Sequence, residues 1–238
     1  MKRVFLTAEW RDLIMANYIV APAILQSYLP YKTELDYLNG NCYVSLVGFM
    51  FLNVKLHGVT IPFHVNFPEV NLRFYTRYKK NGVWKRGVVF IREFVPKPAI
   101  ALIANYLYRE KYATALMRSA KHSQNDQLHV EYQWKIKKRW NTMQVEASTV
   151  PLVLAAGGGE QFITEHYWGY SSRNKYRTNE YGVEHPRWAI HPVTNYSIDC
   201  DFESVYGKDF GCLDEQSPET IFLAEGSEIM IREKTVLL

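Results

Sequence analysis

Glu69, Asn71, Arg73 and Tyr75 occupy every second position of a short segment, with Val70, Leu72, Phe74 and Thr76 between them. A β-strand sends alternate side chains to opposite faces, so this spacing sets a carboxyl, a guanidinium and a phenol in one row. Arginine holds a carboxylate or phosphate through parallel N–H donors, and flanking polar groups orient what it holds. If Val70, Leu72 and Phe74 face a core, the Arg73 row is the solvated side of an antiparallel sheet. The alternation alone favours that reading. If the sheet curls, the same row lines a cavity, and Glu69, Arg73 and Tyr75 form a polar set able to bind a carboxylate.

His185-Pro186-Arg187-Trp188 is a second group with chemistry in it. A histidine, a guanidinium and an indole beside a proline-fixed turn suit an anion or a planar ligand, although a core tryptophan with two rim polars is the commoner arrangement. A lysine in an apolar pocket loses its proton and can form a Schiff base with a carbonyl. Lys97, between two prolines at a strand-to-helix junction, and Lys111, at the end of the following helix, are the candidates for that role, against the ordinary expectation of surface lysines. Lys79 and Lys80 fall in a turn and are solvated.

The 7 histidines show no helical i, i+4 pair, and dinucleotide, Walker, nucleophile-elbow and HExxH motifs are absent, so neither a metal nor a cofactor is expected. Gly157-Gly158-Gly159 follows an apolar run and reads as a loop. Lys135-Ile136-Lys137-Lys138-Arg139-Trp140 is the one basic run with aromatic company, but it falls at a hairpin tip, where charge discourages edge pairing. With a net charge of only +4, nucleic acid is not an expected partner.

These residues need elements to position them. The apolar spacing over residues 10–29, broken at Pro22, predicts one or two short helices. Asn39-Gly40 turns the chain into a strand over 42–54. Residues 69–78 and 83–92 form a hairpin about Asn81-Gly82, and 128–136 with 142–149 form a second. Between them Pro98 opens a helix with a stripe at Ile100, Ile103, Ala104, Leu107 and Tyr108, followed by a second helical piece over 112–118. Strands are expected over 162–170, 176–183, 196–203 and 228–233. Many strands, few helices and no βαβ alternation point to an α+β, mostly antiparallel domain over residues 1–238.

Composition is that of a soluble globular protein: 238 residues, 47% hydrophobic and 22% charged. Its 3 scattered cysteines suggest neither a disulfide framework nor a zinc site, and fit a cytoplasmic setting. The uncharged stretch 37–54 carries Asn39, Gly40, Asn41, Ser45, Gly48 and Asn53 and reads as turn and strand, so no membrane partner is expected. Aromatics are unusually many, at 15%.

Four stretches together resemble a known family: Trp10-Arg11-Asp12-Leu13 with Asn17-Tyr18 and Leu29-Pro30; Glu69 through Tyr75 followed by Gly87-Val88-Val89-Phe90; Phe162 through Tyr170; and Val183 through Trp188. They are similar to the YqjF-like family of uncharacterised bacterial proteins, over nearly the whole chain. That family resembles acetoacetate decarboxylase in fold, which implies an antiparallel sheet curled into a cone or double barrel around an interior pocket. The resemblance raises the cavity reading of the Arg73 row above the solvated one. In the decarboxylase a pocket lysine, activated by a second, follows R-E-x-x-x-x-P-K-K. Here Arg92-Glu93-Phe94-Val95-Pro96-Lys97-Pro98 is shorter and lacks the second lysine. The expected function is binding of a small, partly apolar carboxylate- or carbonyl-bearing molecule by Glu69, Arg73 and Tyr75, with His185 and Trp188 closing the mouth. The alternatives are a Schiff-base lyase using Lys97 or Lys111, and a non-catalytic scaffold or regulatory protein.

Overall fold

The computed structural model describes residues 2–152 and 158–238. Its first strands are β1 (Val4–Val20), β2 (Glu34–Leu35), β3 (Cys42–Leu56), β4 (Val59–Thr60), β5 (Phe67–Lys80), β6 (Val83–Val95) and β7 (Tyr112–Thr114). There follow β8 (Leu116–Gln124), β9 (Gln127–Ile136), β10 (Arg139–Ser148), β11 (Trp168–Asn174), β12 (Arg177–Glu184), β13 (Ile190–Asp199), β14 (Thr220–Arg232) and β15 (Thr235–Leu237). Helices are short: α1 (Pro22–Gln26), α2 (Pro98–Tyr108), α3 (Gly159–Thr164) and α4 (Phe202–Tyr206), with a 3-10 turn over Lys208–Leu213.

Strands β12, β11, β6, β5, β3, β1 and β14 pair in that order, and β12 also pairs with β14 through Val183↔Ile231, which closes the ring into a barrel. Pairing is antiparallel except for β6 with β11 and β6 with β7. The turns follow from residue type. Asn39-Gly40, His57-Gly58 and Asn81-Gly82 all take positive φ, the geometry whose twist matches that of the strands it joins. From β14 the sheet continues through β13, β10, β9 and β8, which fold back over the outside of the barrel. Gly48 on β3 marks how closely that layer sits: a Cβ there would lie 2.7 Å from the Tyr132 ring and 2.9 Å from Met143 Sδ.

The barrel strands are therefore buried on both faces. Outward, Val44, Leu46, Val70, Leu72 and Phe74 pack against Val130, Tyr132, Trp134 and Met143. Inward, Val47, Phe49, Phe51, Val88 and Trp188 form a second core. Helix α2 starts at Pro98, where a missing N–H leaves no further donor unsatisfied, and ends at Arg109 in the left-handed region. Its predicted stripe turns inward, and Ile100, Ile103, Ala104 and Tyr108 face the barrel cavity.

Four predicted elements differ. The strand expected over 196–203 is the end of β13 and the start of α4, which Asp201 caps by accepting from the Ser204 N–H. Residues 10–20 belong to strand β1 rather than a helix: it is paired on both sides and buried on both faces, so Leu13, Ile14, Met15 and Ala16 are all apolar and the two-residue period disappears. Residues 112–118 form β7 and the start of β8, because Tyr112 continues the sheet beside Glu93. Residues 162–170 divide between the end of α3 and the start of β11. Gly158 and Gly159 open α3 rather than a loop, while Gly157, with Val153 and Leu154, lies outside the described residues. Among the described residues no helix is long and apolar enough to cross a membrane.

Candidate functional site

The barrel encloses a cavity of about 120 Å³. Its walls are mostly apolar, from Phe49 and Phe51 on β3, Phe67 on β5, Val88 and Phe90 on β6, and the inward side of α2. Part of the polar lining comes from one face of β5, where Glu69, Asn71 and Arg73 all line the space. The alternation of β5 survives because its two buried faces are chemically different, an apolar one against the outer layer and a polar one toward the cavity. The solvated reading of the Arg73 row is thereby corrected: Arg73 is only 8% exposed.

Arg73 donates weakly to the Ile163 carbonyl (3.5 Å) and lies 5.8 Å from the Tyr75 ring, and its Nε has no partner. Among the described residues no carboxylate comes within ion-pair reach of it. A buried guanidinium without a counter-ion is costly. Beside it, His166 bonds Asp36 Oδ2 through Nε2 (3.1 Å), and Arg86 donates to the same oxygen (2.6 Å). Burial opposes ionisation of Asp36, but these two hydrogen bonds outweigh it and lower its pKa. Burial, aided by the charges of Arg86 and Arg73, holds His166 down to about 4 against the pull of Asp36. The imidazole is neutral at pH 7, donates from Nε2, and leaves Nδ1 as a buried acceptor without a partner.

Tyr75 does not line the cavity. Its ring sits against Phe162 and His166, and its hydroxyl donates to Ser45, which donates to Asn17 Oδ1; Asn17 in turn donates to Thr220. That chain ties β5, β3, β1 and β14 together beneath Arg73.

Away from Arg73 the polar groups are acidic. Glu69 accepts from Asn71 (2.8 Å) and from the Tyr112 hydroxyl (2.8 Å), and Glu110 accepts from the Tyr181 hydroxyl (2.8 Å). Glu93 stands opposite Asn71 across β5 and β6, with Oε2 unpartnered. Burial pushes Glu69 up to about 7, Glu110 up to about 8, and Glu93 well above the usual carboxyl range. Burial also raises the phenols of Tyr112 and Tyr181. Gly169 makes room for Tyr181: a Cβ there would lie 2.1 Å from the ring.

At the rim, His185 stacks on Trp188 (centroids 4.2 Å apart) and lies 4.9 Å from the Tyr167 ring. Trp188 donates to Ser227 (2.8 Å) and packs edge-on against Trp10. His185 lines both the cavity and an outer groove with Glu9, Arg11, Asn53 and Lys55, so it stands between the two. Burial holds its pKa down to about 4. Arg187 points outward to pair with Glu165.

The structure thus brings Glu69, Arg73, His185 and Trp188 together around one cavity and leaves Tyr75 behind its wall. Lys97 immediately precedes α2 without a side-chain bond to it, and Lys111 lies over the ring of Tyr28; among the described residues no lysine lines the cavity. The sequence reasoning missed Glu93, Glu110, Tyr112, His166 and Tyr181. His166 and Tyr181 lie in or beside stretches already singled out, but only the barrel closure turns them inward. Among the described residues no cluster of His, Cys, Asp and Glu is arranged to hold a metal ion.

Comparison with known proteins gives three findings. A family model described as an uncharacterized conserved protein matches residues 7–228. The uncharacterized protein YqjF of Bacillus subtilis (strain 168) is 27% identical over 189 residues, 76% of this chain and 73% of that protein. Among solved structures, the enduracididine biosynthesis enzyme MppR complexed with pyruvate superposes with a TM-score of 0.70 at 9% identity, covering 100% of this chain and 91% of that one. Acetoacetate decarboxylase from Legionella pneumophila superposes with a TM-score of 0.67 at 11% identity, covering 98% and 87%. The fold is the acetoacetate decarboxylase-like curled sheet.

Proposed function

The chain belongs to the DUF2071 family, and from that premise we propose that it binds a small molecule with an apolar body and a carboxylate or keto-acid head in the barrel cavity. Arg73 takes the anionic head. Glu69 orients it through Asn71, and His185 with Trp188 closes the mouth. One observation carries this reading: Arg73 is buried, lines the cavity, and has an unpartnered Nε with no carboxylate in reach. A ligand anion supplies the missing counter-charge through charge-assisted hydrogen bonds. The solved MppR structure complexed with pyruvate shares the fold, which supports an acidic ligand.

The test is calorimetric titration with hexanoate, and with hexan-1-ol as an uncharged control. A hydrogen-bonded charge contributes about 1.5–3 kcal/mol, so Arg73→Met should weaken hexanoate about ten- to a hundredfold and leave the alcohol unchanged. Equal hexanoate affinity in wild type and variant refutes the assignment. The Schiff-base alternative draws no support from the cavity lining. Borohydride added with pyruvate should leave the mass of the protein unchanged, and an adduct on Lys97 or Lys111 would revive that chemistry.

A further inference from the structure

Three carboxyls, Glu69, Glu93 and Glu110, share the cavity with the single guanidinium of Arg73. Tyr181 is committed to Glu110, and Tyr112 bonds Glu69 while also reaching Glu93, yet Glu93 Oε2 remains a buried carboxyl oxygen without a partner. Asn71 gives its amide N–H to Glu69, and its Oδ1 is then a second buried acceptor with no donor. Asn71 and Glu93 are register partners on adjacent strands, each 1% exposed, so the two unpartnered oxygens lie side by side on one wall. One step along the same face of β5 the unpartnered atom is the reverse kind, the Nε donor of Arg73.

Each buried polar atom left without a partner costs about 1–3 kcal/mol. A carboxylate head on Arg73 does nothing for Asn71 and Glu93, and leaves the three carboxyls, which burial keeps largely protonated, without a cation. What fits there is a compact group with several N–H donors and a positive charge. Resting on the carboxylate reading above, we infer that the ligand also carries a protonated amine, seated between Glu93 and Asn71 with Glu110 nearby. One same-face step along a strand is two residues, about 7 Å. That is roughly the reach of five extended methylenes, so the ligand class is a carboxylate with a basic nitrogen at the far end of a short apolar chain. The apolar walls of Phe49, Phe51 and Val88 cover that chain.

The experiment titrates three probes, hexanoate, hexylamine and 6-aminohexanoate, into wild type, Glu93→Gln and Arg73→Met. Wild type should bind 6-aminohexanoate at least tenfold more tightly than hexanoate. Glu93→Gln, near-isosteric and relieved of a buried acid, should lose that advantage and all hexylamine binding, while its unchanged hexanoate affinity reports an intact fold. At pH 7 the two amines should also release protons from the neighbouring carboxyls, read from the heats in two buffers. A merely structural Glu93 would not produce that release. If hexanoate binds through Arg73 and the amine adds nothing, the amine inference is overturned and the carboxylate reading stands. If the amines bind through Glu93 while Arg73→Met changes no affinity, the carboxylate reading falls and the amine site stands. Binding of none of the three overturns both.

Discussion

Glu69→Gln should change how the stability of the protein depends on pH, by an amount the structure sets. Glu69 is 2% exposed, and burial raises its carboxyl from 4.5 to about 7 despite its bonds to Asn71 and Tyr112 and the charge of Arg73. An unfolded chain releases that proton near pH 4.5, whereas the folded one keeps it to about pH 7. The folded state therefore binds more protons across this window, and its stability falls as pH rises through it. About two and a half pH units at 1.36 kcal/mol each come to about 3 kcal/mol, present in full below pH 4.5 and gone by about pH 8. Glutamine cannot ionise and escapes the loss. His166 and His185, both held to about 4, work in the opposite direction between about pH 4 and 6.5, so the wild-type curve alone is a sum of opposing effects. The difference between the two proteins removes the histidine contributions and reports Glu69 together with the upward push of its charge on Glu93 and Glu110, which acts in the same direction. Urea unfolding followed by tryptophan fluorescence, at intervals from pH 4.5 to 8.5, should show the variant gaining about 3 kcal/mol on the wild type at unchanged m-value. A constant offset between the curves, or a gap that widens toward acid, would refute the reasoning.

Other outcomes follow from single contacts. Gly169→Ala should cost about 1–3 kcal/mol in urea unfolding, because its Cβ meets the Tyr181 ring; a change under about 0.5 kcal/mol would show that the ring yields freely. In proton NMR the His166 imidazole should not titrate between pH 5.5 and 8. Arg86→Met should move its midpoint upward, since the nearby positive charge is removed, and an unmoved midpoint would deny that the two groups couple. Trp188→Ala should cost about 3–5 kcal/mol, through the emptied core volume and the lost bond to Ser227.

The barrel was legible where a strand's two faces differ chemically. In β5 one face meets the outer layer and the other meets the cavity, and in β9 Val130, Tyr132 and Trp134 are buried while the residues between them are partly exposed, so both keep a clean period of two. The stretch Leu13–Tyr18 of strand β1 is buried on both faces and nearly all apolar, and nothing in its pattern separates it from a helix. The acidic half of the cavity was hidden by a bulge. Counting back from Lys80↔Val83 along an unbroken hairpin sets Arg92 opposite Asn71, but the register slips between Leu72 and Arg73 and puts Glu93 there instead. Arg92 is turned outward to donate to the Val205 carbonyl. Glu110, His166 and Tyr181 come from elements that only the closure of β12 on β14 brings inward. The family resemblance pointed to that closure; alternation along one strand did not.

The central claim is that Arg73 holds an acidic ligand inside the barrel, and a crystal structure of the protein grown with hexanoate tests it most directly. The carboxylate should lie in the cavity with its oxygens about 2.7–2.9 Å from the Arg73 guanidinium nitrogens and its tail against Phe49 and Phe51. A carboxylate seated in the outer groove, or a cavity without hexanoate and Arg73 still unpaired, would contradict it.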